Sequence, residues 1–203
     1  MNLIFEIYNL IFYQPISKAL FFFYKLFKDF GLAVIFLTFL IRISLFPLDW
    51  MNAKEQKKFM KIKKEIEKMK KLKNEEILAL YKKEKISPFF SLFSLFIQLP
   101  ILYTLYKVFL KPPNQIDPSF VGILNLSNPN FFLVAIAVVF QILYFIFSSQ
   151  KTKKEAISLS QIKITLFFIP FTFLILVKLP SVISLYFIIT YLFLIFEKIL
   201  FNV

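Results

Sequence analysis

Apolar residues run in long blocks along this chain and are interrupted by lysine-rich stretches. Five blocks are long enough for helices crossing hydrocarbon about 30 Å thick, which takes about 20 residues. They lie near Gly31–Trp50, Pro88–Leu110, Phe131–Ser148, Lys163–Val177 and Ser181–Leu200. A backbone in lipid must satisfy its own hydrogen bonds, so each block is predicted helical despite its many Phe and β-branched residues. Barrel strands of about ten residues do not fit these lengths.

The segment Met1–Asp29 has another pattern. Lys18, Lys25 and Lys28 recur at helical spacing against Phe and Leu, and Pro15 breaks any long apolar run. This predicts an amphipathic helix lying in the headgroup plane. Between the first two blocks, Phe59, Ile62, Ile66 and Met69 mark one narrow helical face, and Ile77, Leu80 and Tyr81 mark a second. A break at Lys73–Asn74 and a stop at Ser87–Pro88 make this a helical hairpin. It carries 13 Lys against 6 Glu over Asn52–Ser87.

The expected organisation is thus all-α: residues 1–29 interfacial, 30–51 and 88–200 a five-helix transmembrane core, and 52–87 a basic cytoplasmic hairpin. Lysine placement puts that hairpin, the loop near residues 149–163 and the C-terminus in the cytoplasm, with the N-terminus outside.

Composition narrows the function. Of 203 residues 59% are hydrophobic and 20% aromatic, with 30 Phe and 2 Gly. So small a soluble globule could not hide that much apolar surface, which makes a multi-pass membrane protein the expectation. With neither Cys nor His, thiolate and histidine metal sites and the usual triads are excluded. Two glycines cannot build a phosphate loop, and the spans hold no paired carboxylates. No catalytic residue, metal or cofactor is expected. The net charge of +13 suits anionic lipid headgroups or acidic partners such as ribosomal RNA; DNA is not an expected partner.

One residue carries the chemistry. The chain has 24 Lys and a single Arg, and Arg42 falls inside the first span. A guanidinium in hydrocarbon costs about 2.5–3.5 kcal/mol on insertion scales. It keeps its charge where a lysine would shed a proton. Thr38 and Asp49 share its helical face, and Pro47 follows within the same block. Central partners from other spans are the amides and hydroxyls of Gln98, Gln141 and Thr190. Two readings are open: a hydrated groove receiving a polar or anionic ligand, and an arginine that only snorkels. An anion or solute transporter using Arg42 as its binding site is the alternative function.

The stretch FLTFLIRISLFPLDW, the hairpin ending LALYKKEKISPF and the following SLFIQLPILYTLYKVF resemble the YidC/Oxa/Alb membrane protein insertases. The similarity continues through PSFVGILNLSNPNFF and the last two spans. It implies a short bacterial form without a large extracytoplasmic domain, in the inner membrane, enclosing a hydrophilic groove open to the cytoplasm and closed outside. Arg42 would be the groove arginine, with Thr38, Gln98, Gln141 and Thr190 lining the groove. Tyr144, Tyr186 and Tyr191 would flank the path of the incoming helix. Lys57, Lys61, Lys64, Lys68 and Lys71 would contact partners from the hairpin. The implied activity is insertion and chaperoning of nascent membrane proteins without ATP hydrolysis. The ribosome, the signal recognition particle pathway and the Sec translocon are candidate partners, and a monomer is expected. Three departures stand out: no lipoprotein cysteine, only Phe-Asn-Val after Leu200, and Pro180-Ser181-Val182 where relatives often have Pro-Ser-Gly.

Overall fold

A computed structural model describes residues 3–68, 90–110, 117–150 and 159–201. In chain order these form α1 (Leu3–Tyr8), a π-helical turn (Asn9–Tyr13), α2 (Gln14–Phe27), α3 (Phe30–Lys68) and α4 (Phe90–Leu110). Strands β1 (Ser119–Phe120) and β2 (Leu124–Asn125) follow, then α5 (Phe131–Gln150), α6 (Leu159–Leu176) and α7 (Ser181–Phe201). Two compact units emerge: Met1–Ile43 with Leu102–Val203, and Ser44–Ile101.

Three of the five apolar blocks predicted as spans lie wholly within helices, α3, α5 and α7, while Pro88–Leu110 and Lys163–Val177 overlap α4 and α6. By length and apolarity, two described stretches can cross a membrane, Phe30–Met51 and Ser181–Leu200. Leu99–Phe109 and Phe131–Phe147 are shorter apolar helices. Pro47, Pro100 and Pro170 lie inside helices. Each lacks an N–H, a loss that neighbouring groups can make good at membrane depth.

Three differences from the sequence expectation have physical causes. First, the basic segment does not begin with a new helix. α3 continues unbroken from the apolar block to Lys68, because Met51-Asn52-Ala53-Lys54 contains neither Gly nor Pro to stop it. The break at Lys73–Asn74, the second arm with Ile77, Leu80 and Tyr81, Met69 and Lys71 lie outside the described residues. Second, the fold is mostly helical but not wholly so, since β1 and β2 pair antiparallel with Phe120 opposite Leu124. Third, the N-terminal segment is two helices joined by a π-turn, and Ile16 and Leu20 of α2 are buried against protein. Phe27 stacks on Phe36 of α3 at 4.4 Å between centroids. The exposed face of α2 mixes Lys18 and Lys25 with Phe22 and Leu26.

The larger unit is tied at one end by polar side chains. Lys28 ends α2 in the left-handed region (φ 57°), donating its N–H to the Tyr24 carbonyl. Asp29 then caps α3, accepting from Leu32 N–H at 2.8 Å through Oδ1. Its other oxygen accepts the Val121 N–H of the β-turn at 2.6 Å. Tyr24 Oη accepts the Asp117 N–H. The loop after β2 supplies acceptors in turn: Leu126 O and Asn128 O accept the first N–H groups of α7, those of Val182 and Ser181. Asn130 caps α5, its Oδ1 accepting from Phe132 and Leu133. Gly31 is required where β1 crosses α3, because a Cβ there would fall within the Phe120 ring and its Cβ.

Elsewhere in this unit, Tyr8 and Thr104 share a hydrogen bond of 2.8 Å that joins α1 to α4. Beside it, the Lys107 ammonium lies 4.9 Å from the Tyr103 ring, 5.3 Å from Phe5 and 5.7 Å from Tyr8. Three ring faces within about 6 Å stabilise a cation that water does not fully solvate.

Candidate functional site

The apolar face that α7 turns inward is interrupted by Ser181, Ser184 and Thr190, all buried. Helical periodicity sets Ser184, Phe187 and Tyr191 on successive turns of one face. Thr190 sits beside that face and meets α3. Arg42 Nε donates to Thr190 Oγ1 at 3.4 Å, the long end of a hydrogen bond. The bond spans 148 residues of sequence, so only tertiary folding brings the pair together. Arg42 is 5% exposed. Its resting side chain is therefore enclosed, and does not stand in a wide aqueous cleft.

Thr38 lies one turn before Arg42 on α3 and is also buried, but its hydroxyl donates to the Val34 carbonyl at 2.7 Å. Such back-bonding leaves the oxygen lone pairs available as acceptors. Gln141 of α5 reaches α6: its Nε2 donates to Thr172 Oγ1 at 3.1 Å, while Thr172 donates to the Phe168 carbonyl. Gln141 Oε1 and Ser184 Oγ, both buried, have no hydrogen-bond partner among the described residues. Buried polar atoms usually have one.

The tyrosines separate into two roles. Tyr144 of α5 and Tyr191 of α7 meet with ring centroids 5.9 Å apart, and Phe187 stacks on Tyr191 at the same distance. The Lys198 ammonium lies 5.7 Å from the Tyr144 ring. Tyr186 is wholly enclosed and touches Phe187 edge-on. α5 and α7 pack along each other extensively, and α6 contacts both more lightly.

The structure thus joins Arg42 to Thr190, and Tyr144 to Tyr191. The side chains of Gln98, Lys57, Lys61, Lys64 and Lys68, and the whole of Lys71, lie outside what it describes. Sequence reasoning missed Thr172 and Ser184. Thr172 was detectable as the hydroxyl within IPFTFLIL, Ser184 as a hydroxyl in the first turn of the last block, one turn after Ser181. Among the described residues, no three His, Cys, Asp or Glu cluster as a metal would need.

A cationic side chain buried between two helices long enough to cross a bilayer, with amides and hydroxyls beside it, belongs to integral membrane proteins that handle polar groups at depth. The sequence profile of the family described as 60Kd inner membrane protein matches residues 22–203, and the chain belongs to that family. It is similar to the membrane protein insertase YidC of Caulobacter vibrioides (strain NA1000), 36% identical over 127 residues, covering 59% of this chain and 21% of that one. The YidC of Rickettsia bellii is 28% identical over 146 residues, covering 60% and 26%. A crystal structure of an active YidC insertase with its first transmembrane domain resolved matches 94% of this chain and 46% of its own, at TM-score 0.70 and 25% identity. The chain spans about a fifth to a quarter of the length of these curated relatives.

Proposed function

We propose that this protein inserts nascent membrane proteins into the inner membrane and assists their folding, using the seam around Arg42 as a polar way-station. The observation that carries this reading is a guanidinium only 5% exposed, set between α3 and α7, whose Nε donates to the Thr190 hydroxyl at a long 3.4 Å. A permanent charge is costly to bury inside a helix bundle for structure alone. It is well suited to a transient counter-charge, because an arriving acidic segment replaces a long 3.4 Å bond to a neutral hydroxyl with an ion pair.

In this mechanism the outer segment of a client enters from the cytoplasm as water penetrates the seam. Arg42 holds it, with Thr38, Gln141 and Thr190, and with Gln98 from the second span. Gln141 Oε1 accepts, and Ser184 Oγ accepts or donates, bonds for which the described residues offer no partner. The client's apolar helix leaves along the surface of α5 and α7, past the Tyr144–Tyr191 pair, which Tyr186 braces from within. Transfer of apolar surface into lipid, worth about 25 cal/mol per Å², drives the step, and the membrane potential helps acidic segments across. Neither ATP nor a cofactor takes part.

The five-span topology, with the N-terminus outside and the C-terminus cytoplasmic, belongs to this proposal. So do the hairpin lysines Lys57, Lys61, Lys64, Lys68 and Lys71 as contacts for the ribosome, the signal recognition particle pathway, the Sec translocon or anionic lipids.

The test is a depletion strain complemented with variants, following insertion of a short client with an acidic outer segment. Arg42→Ala is expected to slow insertion by about 10- to 100-fold, the equivalent of the roughly 1.5–3 kcal/mol of a hydrogen bond to a charged group. Arg42→Lys should retain part of the rate. Normal insertion with Arg42→Ala would sink the proposal, and loss of a solute flux instead would favour a transporter.

A further inference from the structure

The β-turn joining β1 to β2 breaks the usual rules of turns in two ways. Ile123 N–H donates to the Phe120 carbonyl at 3.1 Å, and the central residues Val121 and Gly122 have φ of 52° and 67°. Two positive φ values define a type I′ turn, whose first central position favours Asn, Asp or Gly. A β-branched residue there is a strained outlier. The same valine is 61% exposed, and Ile123 beside it is 82% exposed. In water, Asn in place of Val121 would relieve the strain and remove an exposed apolar group together. A sequence that keeps a doubly unfavourable residue at one tip points to an environment other than water.

The position of the turn identifies that environment. Asp29, the cap of α3, grips the Val121 N–H, and the loop leaving β2 caps the start of α7. These are the beginnings of the two helices long and apolar enough to cross a membrane. The turn therefore lies at the level where those helices enter the bilayer. Phe131 and Phe132, which start α5 just beyond the loop, are also exposed and continue into the outward apolar positions Val139, Leu143 and Ile146. Asn125, Ser127 and Asn128 supply exposed polar residues between these two apolar groups.

We infer that Val121 and Ile123 form a wedge set into the headgroup–acyl boundary of the outer leaflet, anchoring the outer end of the bundle in lipid. Asp29 holds the wedge at a fixed height relative to α3, and the apolar tip gains in lipid what the backbone gives up in strain. The occupant of this surface is lipid. The inference rests on the reading that the chain spans a membrane.

Fluorescence depth measurement on the whole protein tests it. The single tryptophan, Trp50, is replaced by Phe, and Ile123→Trp or, as a mid-span control, Leu143→Trp is introduced. The variants are reconstituted into phosphatidylcholine vesicles with acyl chains brominated near the carbonyl or near the methyl end. Trp at position 123 should emit blue-shifted light and lose at least half its intensity to the shallow bromines, and less to the deep ones. Adding Val121→Asn should weaken that quenching while leaving the melting temperature in detergent the same or higher, which separates lost anchoring from misfolding. Water-like, unquenched emission at 123 beside a quenched control overturns the wedge and leaves the spanning reading intact. Blue-shifted but unquenched emission indicates a protein occupant and also overturns it. An unquenched control removes the spanning reading, and the wedge with it.

Discussion

The capped end of the larger unit and the seam around Arg42 use polar side chains in opposite ways. At the capped end, Asp29, Tyr24, Asp117 and Asn130 each bind backbone N–H or hydroxyl groups. In the seam, Arg42 leans on a distant hydroxyl, and Gln141 Oε1 and Ser184 Oγ have no partner among the described residues. Satisfied polar groups fix a structure, whereas unsatisfied ones leave it ready to bind. The contrast is one of degree, since Ser181 Oγ at the capped end also has no partner among the described residues; the capped end is expected to hold its shape while the seam changes.

Asp29→Ala should give the largest effect on stability. It removes the α3 cap and the clamp on Val121, and about 2–4 kcal/mol is expected to go with them. The melting temperature in detergent would fall, and Asp29→Asn, which still caps, should recover part of the loss. An unchanged melting temperature would mean that this end is not the fixed one. Gly31→Ala should cost about 1–3 kcal/mol, because its methyl group displaces Phe120. Adding Phe120→Ala should return most of that, and the double-mutant cycle measures the coupling. The smallest effect belongs to the seam. Ser184→Ala deletes a buried hydroxyl that has no partner among the described residues and should leave stability unchanged or raise it by up to about 1 kcal/mol, read by the same melt. A marked loss would show that Ser184 is bonded and would blur the contrast between the two regions.

Much of this molecule was legible in the order of its residues, for reasons of scale. Helices of about twenty apolar residues announce themselves through length, and α3, α5 and α7 occupy the expected stretches. The hairpin did not, since strands of two residues show no period, and Val121-Gly122 lacks the Asn-Gly that marks a type I′ turn. The π-turn at Asn9–Tyr13 has no composition of its own. Within the site, Arg42 stood out as the lone arginine, and Thr190 was among its candidate partners. Which candidate it meets depended on how α3 and α7 face each other, which no local spacing encodes. Thr38 was expected to line the groove; its back-bond to Val34 was not foreseeable from residue type alone.

The three rings around Lys107 give the first helix a purpose beyond its length. Trimming the chain back to Asn9 would strip away Phe5 and Tyr8, two of the three rings beside the ammonium, and cut the bridge to Thr104. A truncation of eight residues would then do damage out of proportion to its size, and an affinity tag replacing them would fare no better than a deletion.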